Sequence, residues 1–318
     1  MKQPYLTVSF APHIHYKATT SRIMRDVIIA LTPAFAVSIV VFGLQAALVT
    51  VTCVASCVFF EWAYEKLLKK KVTTRDLSAV VTGILLAFNL PVTIPLWQAV
   101  IGSFIAIIMV KQLFGGLGKN FANPAITARI VMFLAFPATM TTWVQLHDVV
   151  STATPMADAV SAATPLMLMS RGEYESLPSI WSMIIGTRGG CLGETSNIAL
   201  LIGGIYLLKR RVITWHTPVM FIGTVVIMTT LLGAKPMYHL FAGGLFLGAI
   251  FMATDYPTTP NTNTGRIIFG IGCGILTVLI RLYGSYPEGV SFSILFMNML
   301  VPYINKFTLI KAFGGVKA

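Results

Sequence analysis

Ten stretches of this chain are apolar over a membrane-crossing length, with short polar breaks between most of them. They fall at roughly 23–42, 44–67, 77–93, 95–114, 124–141, 195–209, 214–233, 237–254, 264–284 and 287–305. A helix that crosses a bilayer takes about 20 mostly apolar residues, so the pattern predicts an all-α polytopic membrane protein of about ten transmembrane helices. The first stretch does not read as a secretory signal. It follows a basic segment, opens at Arg22-Ile23-Met24-Arg25 and has no small-residue cleavage site behind it. The longest polar interruption, 143–194, separates the first five stretches from the last five.

The two groups of five resemble each other. Gly83 opens a short segment that ends in Pro91-Val92-Thr93-Ile94-Pro95, and Gly248 opens one that ends in Pro257-Thr258-Thr259-Pro260. Each is followed by one span and a glycine-bearing turn, then by Asn123-Pro124 or Tyr286-Pro287 at the head of another span. Proline is tolerated in the first turn of a helix. Breaks such as Asn89-Leu90-Pro91 bare backbone groups that lipid cannot satisfy, so they belong in a protein interior or a wet cavity. Five spans is an odd number, so the two halves are expected to be inverted repeats with a central site between them. The expected organisation is an arm at 1–22, a first repeat at 23–142, a loop at 143–194, a second repeat at 195–305 and a tail at 306–318.

Composition agrees with the pattern: 56% of the 318 residues are apolar and 11% charged. A net charge of +12 invites a nucleic-acid partner, but its distribution argues against one. With the N-terminus in the cytoplasm, nineteen of the twenty-three Lys and Arg fall on the cytoplasmic side. Arg171, Arg188, Lys235 and Arg281 fall outside. This is the positive-inside bias of an integral membrane protein. It predicts cytoplasmic N- and C-termini and puts the 143–194 loop on the outer face.

The four cysteines form no disulfide framework. Cys53 and Cys57 lie one turn apart in the second stretch, but two thiols without two more ligands make a poor metal site, and small residues are common where membrane helices touch. The five histidines are scattered without ligand spacing. Acids beside spans are costly and so suspect. Asp255, Glu61 and Glu288 are candidates for an ion path, and for Glu61 and Asp26 the alternative is snorkelling or pairing at the interface. For Glu61 that partner would be Lys66, and for Asp26 it would be Arg25.

Two segments of the loop carry candidate chemistry. In Ser161-Ala162-Ala163-Thr164-Pro165-Leu166 the proline pushes Thr164 towards extended backbone. The threonine side chain should therefore be presented, with Ala162 and Ala163 leaving room beside it. On these residues alone two readings stand: a Thr-Pro turn, or an attachment point for a phosphate-bearing cofactor. Thr154-Pro155 is a rival with poorer flanks. Further on, Arg188, Gly189, Gly190, Glu194 and Thr195 lie in a glycine-rich approach to the sixth span, where Thr195 or Ser196 can cap the helix. A helix start attracts anions, so this is either a simple cap or a cradle for a phosphate or a flavin edge.

Taken together, several segments resemble one family over essentially the whole length. They are Lys111-Gln112-Leu113-Phe114-Gly115-Gly116-Leu117-Gly118, Asn123-Pro124-Ala125, Ser161 to Leu166, Gly193-Glu194-Thr195-Ser196, Thr254-Asp255-Tyr256-Pro257, Gly265-Arg266, Leu279-Ile280-Arg281 and Tyr286-Pro287-Glu288-Gly289-Val290. The chain resembles the D subunit of the Rnf electron-transport complex, which is related to the B subunit of the Na⁺-translocating NADH:quinone reductase. The short N-terminal arm favours the Rnf relative.

The resemblance implies FMN joined through a phosphoester to Thr164, with Ser161 and Ala163 beside it, added by a flavin transferase outside the membrane. It also implies a multisubunit complex moving electrons between ferredoxin and NAD⁺ while pumping Na⁺ or H⁺. The implied fold is urea-transporter-like, with room for a second, non-covalent flavin such as riboflavin. Ala162 departs from the usual Gly or Gln by one small side chain. The chain has neither a ferredoxin-type cysteine run nor a nucleotide-binding glycine motif, so that chemistry is expected in the complex's other membrane, flavin and iron–sulfur subunits. The rival class is a small-solute channel or transporter of the same fold with no redox role.

Overall fold

The computed structural model describes residues 19–70, 72–143, 164–173, 175–186, 190–194, 196–284 and 288–309. Among the sequence candidates, Thr154, Ser161, Ala163, Arg188, Gly189 and Thr195 lie outside the described residues.

Helices make up the regular structure of the described residues. Four are long and apolar enough to cross a membrane: α1 (Thr20–Phe42), α2 (Leu44–Leu67), α13 (Asn263–Tyr283) and α14 (Gly289–Thr308). Five shorter apolar helices accompany them: α3 (Ser78–Phe88), α4 (Leu96–Phe104, continued to Gln112), α5 (Pro124–Ala135), α9 (Asn197–Lys209) and α10 (His216–Leu231). A four-residue turn of helix, α6 (Pro137–Met140), follows α5. The eighth expected span is divided into α11 (Pro236–Phe241) and α12 (Leu245–Leu247), and α12 runs on as a π-helix, Gly248–Met252. Large apolar side chains such as Val40, Ile205 and Leu231 point outward, which suits a multi-pass membrane protein whose surroundings are lipid.

The third and eighth stretches stop short for local reasons. α3 ends at Phe88 because the Asn89 side chain turns back to donate to Leu85 O at 2.6 Å, and Pro91 has no N–H to continue the ladder. α5 starts where Asn123 Oδ1 accepts from the Ala125 and Ile126 amides at 3.0 and 3.3 Å, with Pro124 at the first helical position. After the second break, Thr259 Oγ1 donates to Ala253 O and Asp255 O at 3.0 and 2.6 Å, satisfying carbonyls that left the helix.

These irregular segments meet one another in the interior. Asn123 Nδ2 donates to Met252 O at 3.4 Å, and Asn89 Nδ2 lies 3.6 Å from Met252 Sδ. The Asn298 carboxamide of α14, oriented so that both ends are satisfied, donates to Thr258 O at 3.0 Å and accepts from Asn123 N at 3.2 Å. Both helix breaks are thus tied to a continuous helix by side-chain amides.

Packing of α1 against α9 is close enough to require glycine. A Cβ at Gly203 would stand 2.1 Å from Ala30 O. Asp26 of α1 pairs with Arg210 at 3.3 Å and accepts from Tyr206 OH at 3.2 Å, so its partner is across the helix pair and not the adjacent Arg25. The described loop segment folds into α7 (Pro165–Ser170) and α8 (Ile180–Ile185). Leu166, Met169 and Met183 of these helices bury themselves against Ala242, with Tyr238 and Phe241 alongside.

Candidate functional site

Thr164 has the extended backbone its proline predicts, with φ −66° and ψ 153°. Its hydroxyl oxygen accepts from Met167 N at 3.3 Å and so caps α7. The side chain is more enclosed than the sequence suggested, with the residue 8% exposed. In the cap the oxygen acts as an acceptor. An ester at Oγ keeps that acceptor, so the cap and a phosphoester are compatible.

Just beneath α7 lies Arg281, donating to His239 O at 2.6 Å and Ala242 O at 3.0 Å. Gly243 separates it from the loop: a Cβ there would be 2.8 Å from Leu166 Cδ1 and 3.3 Å from the Arg281 guanidinium. A buried cation is therefore held close to the helix that Thr164 heads.

Next to this region is a buried polar cluster drawn from four segments. Arg129 of α5 ion-pairs with Glu288, lies 3.7 Å from Glu194, and donates to Ser291 Oγ at 2.8 Å and Asn89 Oδ1 at 3.2 Å. The Cys191 thiol donates to Asn89 O at 3.3 Å and faces Arg129 at 3.6 Å. Burial, reinforced by the Glu194 carboxylate, pushes that thiol well above its ordinary range, so it is held as the neutral donor. Gly244 makes room for the Glu194 carboxylate, since a Cβ there would come within 2.8 Å of it, and Gly190 lies alongside.

The third site lies elsewhere in the bundle. Lys111, in the π-helical continuation of α4, pairs with Glu61 at 2.6 Å and donates to Ser78 Oγ at 2.6 Å. Gln112 donates to Glu61 at 2.9 Å. Lys111 and Ser78 also line an open cleft with Thr82, Asn120, Asn123 and Asp255. A neighbouring cavity shares Asp255 and is closed by Tyr256 and Phe251.

The sequence candidates therefore separate into groups. Glu194 and Glu288 come together at Arg129, Gly190 lies beside Glu194, and Thr164 heads the adjacent loop helix. Glu61 pairs with Lys111, and Asp255 lines the same cleft as Lys111. Ser196 caps α9, accepting from Ala199 N at 3.3 Å. Glu288 stands at the head of α14 as expected but makes no capping hydrogen bond.

Glu61 takes Lys111 as its partner, not Lys66. Arg129, one of the nineteen cations assigned to the cytoplasmic side and its helix ends, is buried beside Glu194 and Glu288. Charge reading missed Arg129, Lys111 and Arg281 because cations were counted as loop signposts. A cation within an apolar stretch was the signal that would have found them.

The chain matches the model of the NQR2, RnfD, RnfE family over residues 7–314. The D subunit of the Na(+)-translocating ferredoxin:NAD(+) oxidoreductase complex of Acetobacterium woodii is 49% identical, over 100% of this chain and 98% of its own length. The D subunit of the proton-translocating ferredoxin:NAD(+) oxidoreductase complex of Clostridium ljungdahlii is 43% identical over 99% and 98%. The D subunit of the ion-translocating oxidoreductase complex of Citrobacter koseri is 35% identical over 96% and 98%. Matched from near one end to near the other by both the family model and these relatives, the chain belongs to the NQR2, RnfD and RnfE family.

Proposed function

We propose that this chain is the membrane-embedded D subunit of an ion-translocating ferredoxin:NAD⁺ oxidoreductase of the Rnf type, carrying FMN as a phosphoester on Thr164. Relatives bearing that subunit name align with it along almost their entire length. The observation that carries the cofactor assignment is Thr164 itself. Its oxygen serves as an acceptor at the head of α7, with a buried guanidinium beneath that helix. A flavin there would supply one- and two-electron transfer.

The protein's part is to hold and tune. Thr164 anchors the phosphate, and Arg281 supplies positive charge beneath the anchoring helix. Leu166 and Met169 keep that helix seated on α11. The ring would lie towards Glu194 and Gly190, with Ser161, Ala163, Arg188, Gly189 and Thr195 completing the surroundings. The resemblance also leaves room for a non-covalent riboflavin in the bundle.

The membrane arrangement that goes with this reading has ten passes in two inverted halves of five. The termini are cytoplasmic and the 143–194 loop lies outside the cytoplasmic (inner) membrane, where a flavin transferase would modify it. The proline-broken segments in each half and the bias of Lys and Arg support it. Partners would be the remaining membrane, flavin and iron–sulfur subunits. Transport of Na⁺ or H⁺ would involve Asp255, Glu61 and Glu288. Ion movement couples to electron transfer only if the two flavin oxidation states favour different arrangements of the bundle.

The test is chemical. The chain, coproduced with its flavin transferase and denatured on a gel, should fluoresce as a flavoprotein and gain the mass of one FMN. Thr164→Ala should abolish both signals and Thr154→Ala should leave both. The opposite pattern would overturn the assignment.

A further inference from the structure

Lys111 heads the Lys111–Gly118 segment and lies apart from the flavin-anchoring helix. Its ammonium is almost fully enclosed, bound on one side by Glu61 and Ser78. The cleft that it lines also holds Asp255. One flexible cation is thus paired with one carboxylate and shares a cleft with a second. Neither carboxylate is saturated in the manner of a structural pair. Glu61 Oε2 is buried with no hydrogen-bond partner among the described residues. Asp255 accepts a long bond from Thr258 Oγ1 at 3.4 Å and one from the Tyr256 backbone, both of them neutral donors. By contrast, Arg129 is fixed by several partners at once.

The cleft also presents uncharged oxygens. Asn120 commits its amide nitrogen to Ala122 O at 3.0 Å, and Thr82 commits its hydroxyl proton to Ser78 O at 3.0 Å. Lone pairs on both side-chain oxygens remain for a ligand. A proton needs a carboxylate alone, whereas a metal cation needs several oxygens. With a single acid facing the cleft and an ammonium beside it, the charge suits a monovalent ion better than a divalent one.

We propose that the cleft binds a hard monovalent cation of the Na⁺ type through Asp255, Asn120 and Thr82, and that Lys111 is a tethered competitor for it. The proposal rests on the reading that the chain takes part in cation transport. While Lys111 is paired with Glu61, Asp255 is open to the ion. When the ammonium turns to Asp255, it replaces the ion's charge and drives the ion out. Lysine fits this task as a compact charge on a flexible stem. The π-helical backbone around it is a feature often found at functional sites. In the second state Glu61 keeps the Gln112 hydrogen bond but loses its counter-charge, so that state is the costlier of the two.

The experiment uses the assembled complex in sealed vesicles, with ferredoxin-driven NAD⁺ reduction and Na⁺ uptake measured against Na⁺ concentration. The double variant Glu61→Gln with Lys111→Gln keeps buried hydrogen bonding while removing the competitor. It should lower the half-saturating Na⁺ concentration by about tenfold and slow maximal uptake, because release loses its displacing charge. Asp255→Asn should raise the half-saturating concentration by about tenfold or more. An unchanged Na⁺ dependence in the double variant overturns the proposal, as does a parent complex that pumps protons with no response to Na⁺. If the double variant does not assemble, Lys111→Arg decides. A forked guanidinium should stay on Glu61 and depress uptake in an assembled complex, and full uptake would overturn the idea. Gel fluorescence of each variant reports the flavin separately, so a failed cation site and a failed flavin site give different results.

Discussion

Arg129 and Glu288, 159 positions apart in the chain, form an ion pair in the interior where α5 meets the head of α14. The pair joins the first group of helices to the second, and Glu194 from the intervening loop completes it. Charges taken out of water are tolerated only when paired and hydrogen-bonded.

Arg129→Ala should therefore be severe, since two buried acids lose their counter-charge. A loss of about 3–5 kcal/mol is expected, read as a large drop in the thermal unfolding midpoint of the purified chain in detergent. Adding Glu288→Gln should recover part of it. A double variant no better than the single would argue against the pairing.

Thr164 has two separable tasks, and conservative variants should separate them. Thr164→Ala removes the α7 cap and should cost about 1 kcal/mol, whereas Thr164→Ser keeps a capping oxygen and should melt like the parent. Loss of flavin in the alanine variant with an unchanged melt would show that the cap does not contribute.

Gly193 lies directly on Phe88, where an added Cβ would come within 2.4 Å of Phe88 Cβ. Gly193→Ala should cost about 1–3 kcal/mol through overpacking. Phe88→Ala in the same chain, which removes the Cγ and Cδ2 that the new methyl would meet at 2.6 and 2.7 Å, should relieve part of that cost. Denaturation curves of the three variants measure the coupling, and simple additivity would contradict the contact.

Asn298 ties both broken segments to α14. Asn298→Leu is close in volume but strands Thr258 O and Asn123 N, so about 1–3 kcal/mol should be lost. Limited proteolysis should then cut sooner near residues 253–262. Protection equal to the parent's would mean the tie is mechanically idle.

The Asp26–Arg210 pair should matter far less. Arg210 has 40% of its side chain exposed, and Asp26→Asn keeps the Tyr206 hydrogen bond within reach. Little or no change in the thermal unfolding midpoint is expected for such a solvent-screened pair. A shift as large as that of Arg129→Ala would show that burial of Asp26 dominates.

The helices were readable because each apolar stretch carries its own signal: length, caps such as Asn123, and prolines such as Pro91 and Pro124. The breaks were readable for the same reason, although the third and eighth stretches end sooner and divide further than apolarity implied. Thr164 was located by its neighbours in sequence, and its extended backbone followed from Pro165. Its enclosure depended on Ala242 and Gly243, which are remote in the chain.

Charge partners were not readable. The nearest opposite charge along the chain was Lys66 for Glu61 and Arg25 for Asp26. The folded protein uses Lys111 for the first and Arg210, 184 positions away, for the second. Spacing along a helix limits which residues share a face but says nothing about which other helix that face meets.

Local chemistry was enough to specify helices, breaks, caps and the extended threonine, because each depends on backbone sterics and hydrogen bonds within a few residues. The grouping of Arg129 with Glu194 and Glu288, and of Lys111 with Glu61 at a cleft shared with Asp255, came from packing. Ion pairs sheltered from water depend on distance in space, and only close approach of remote helices sets that distance.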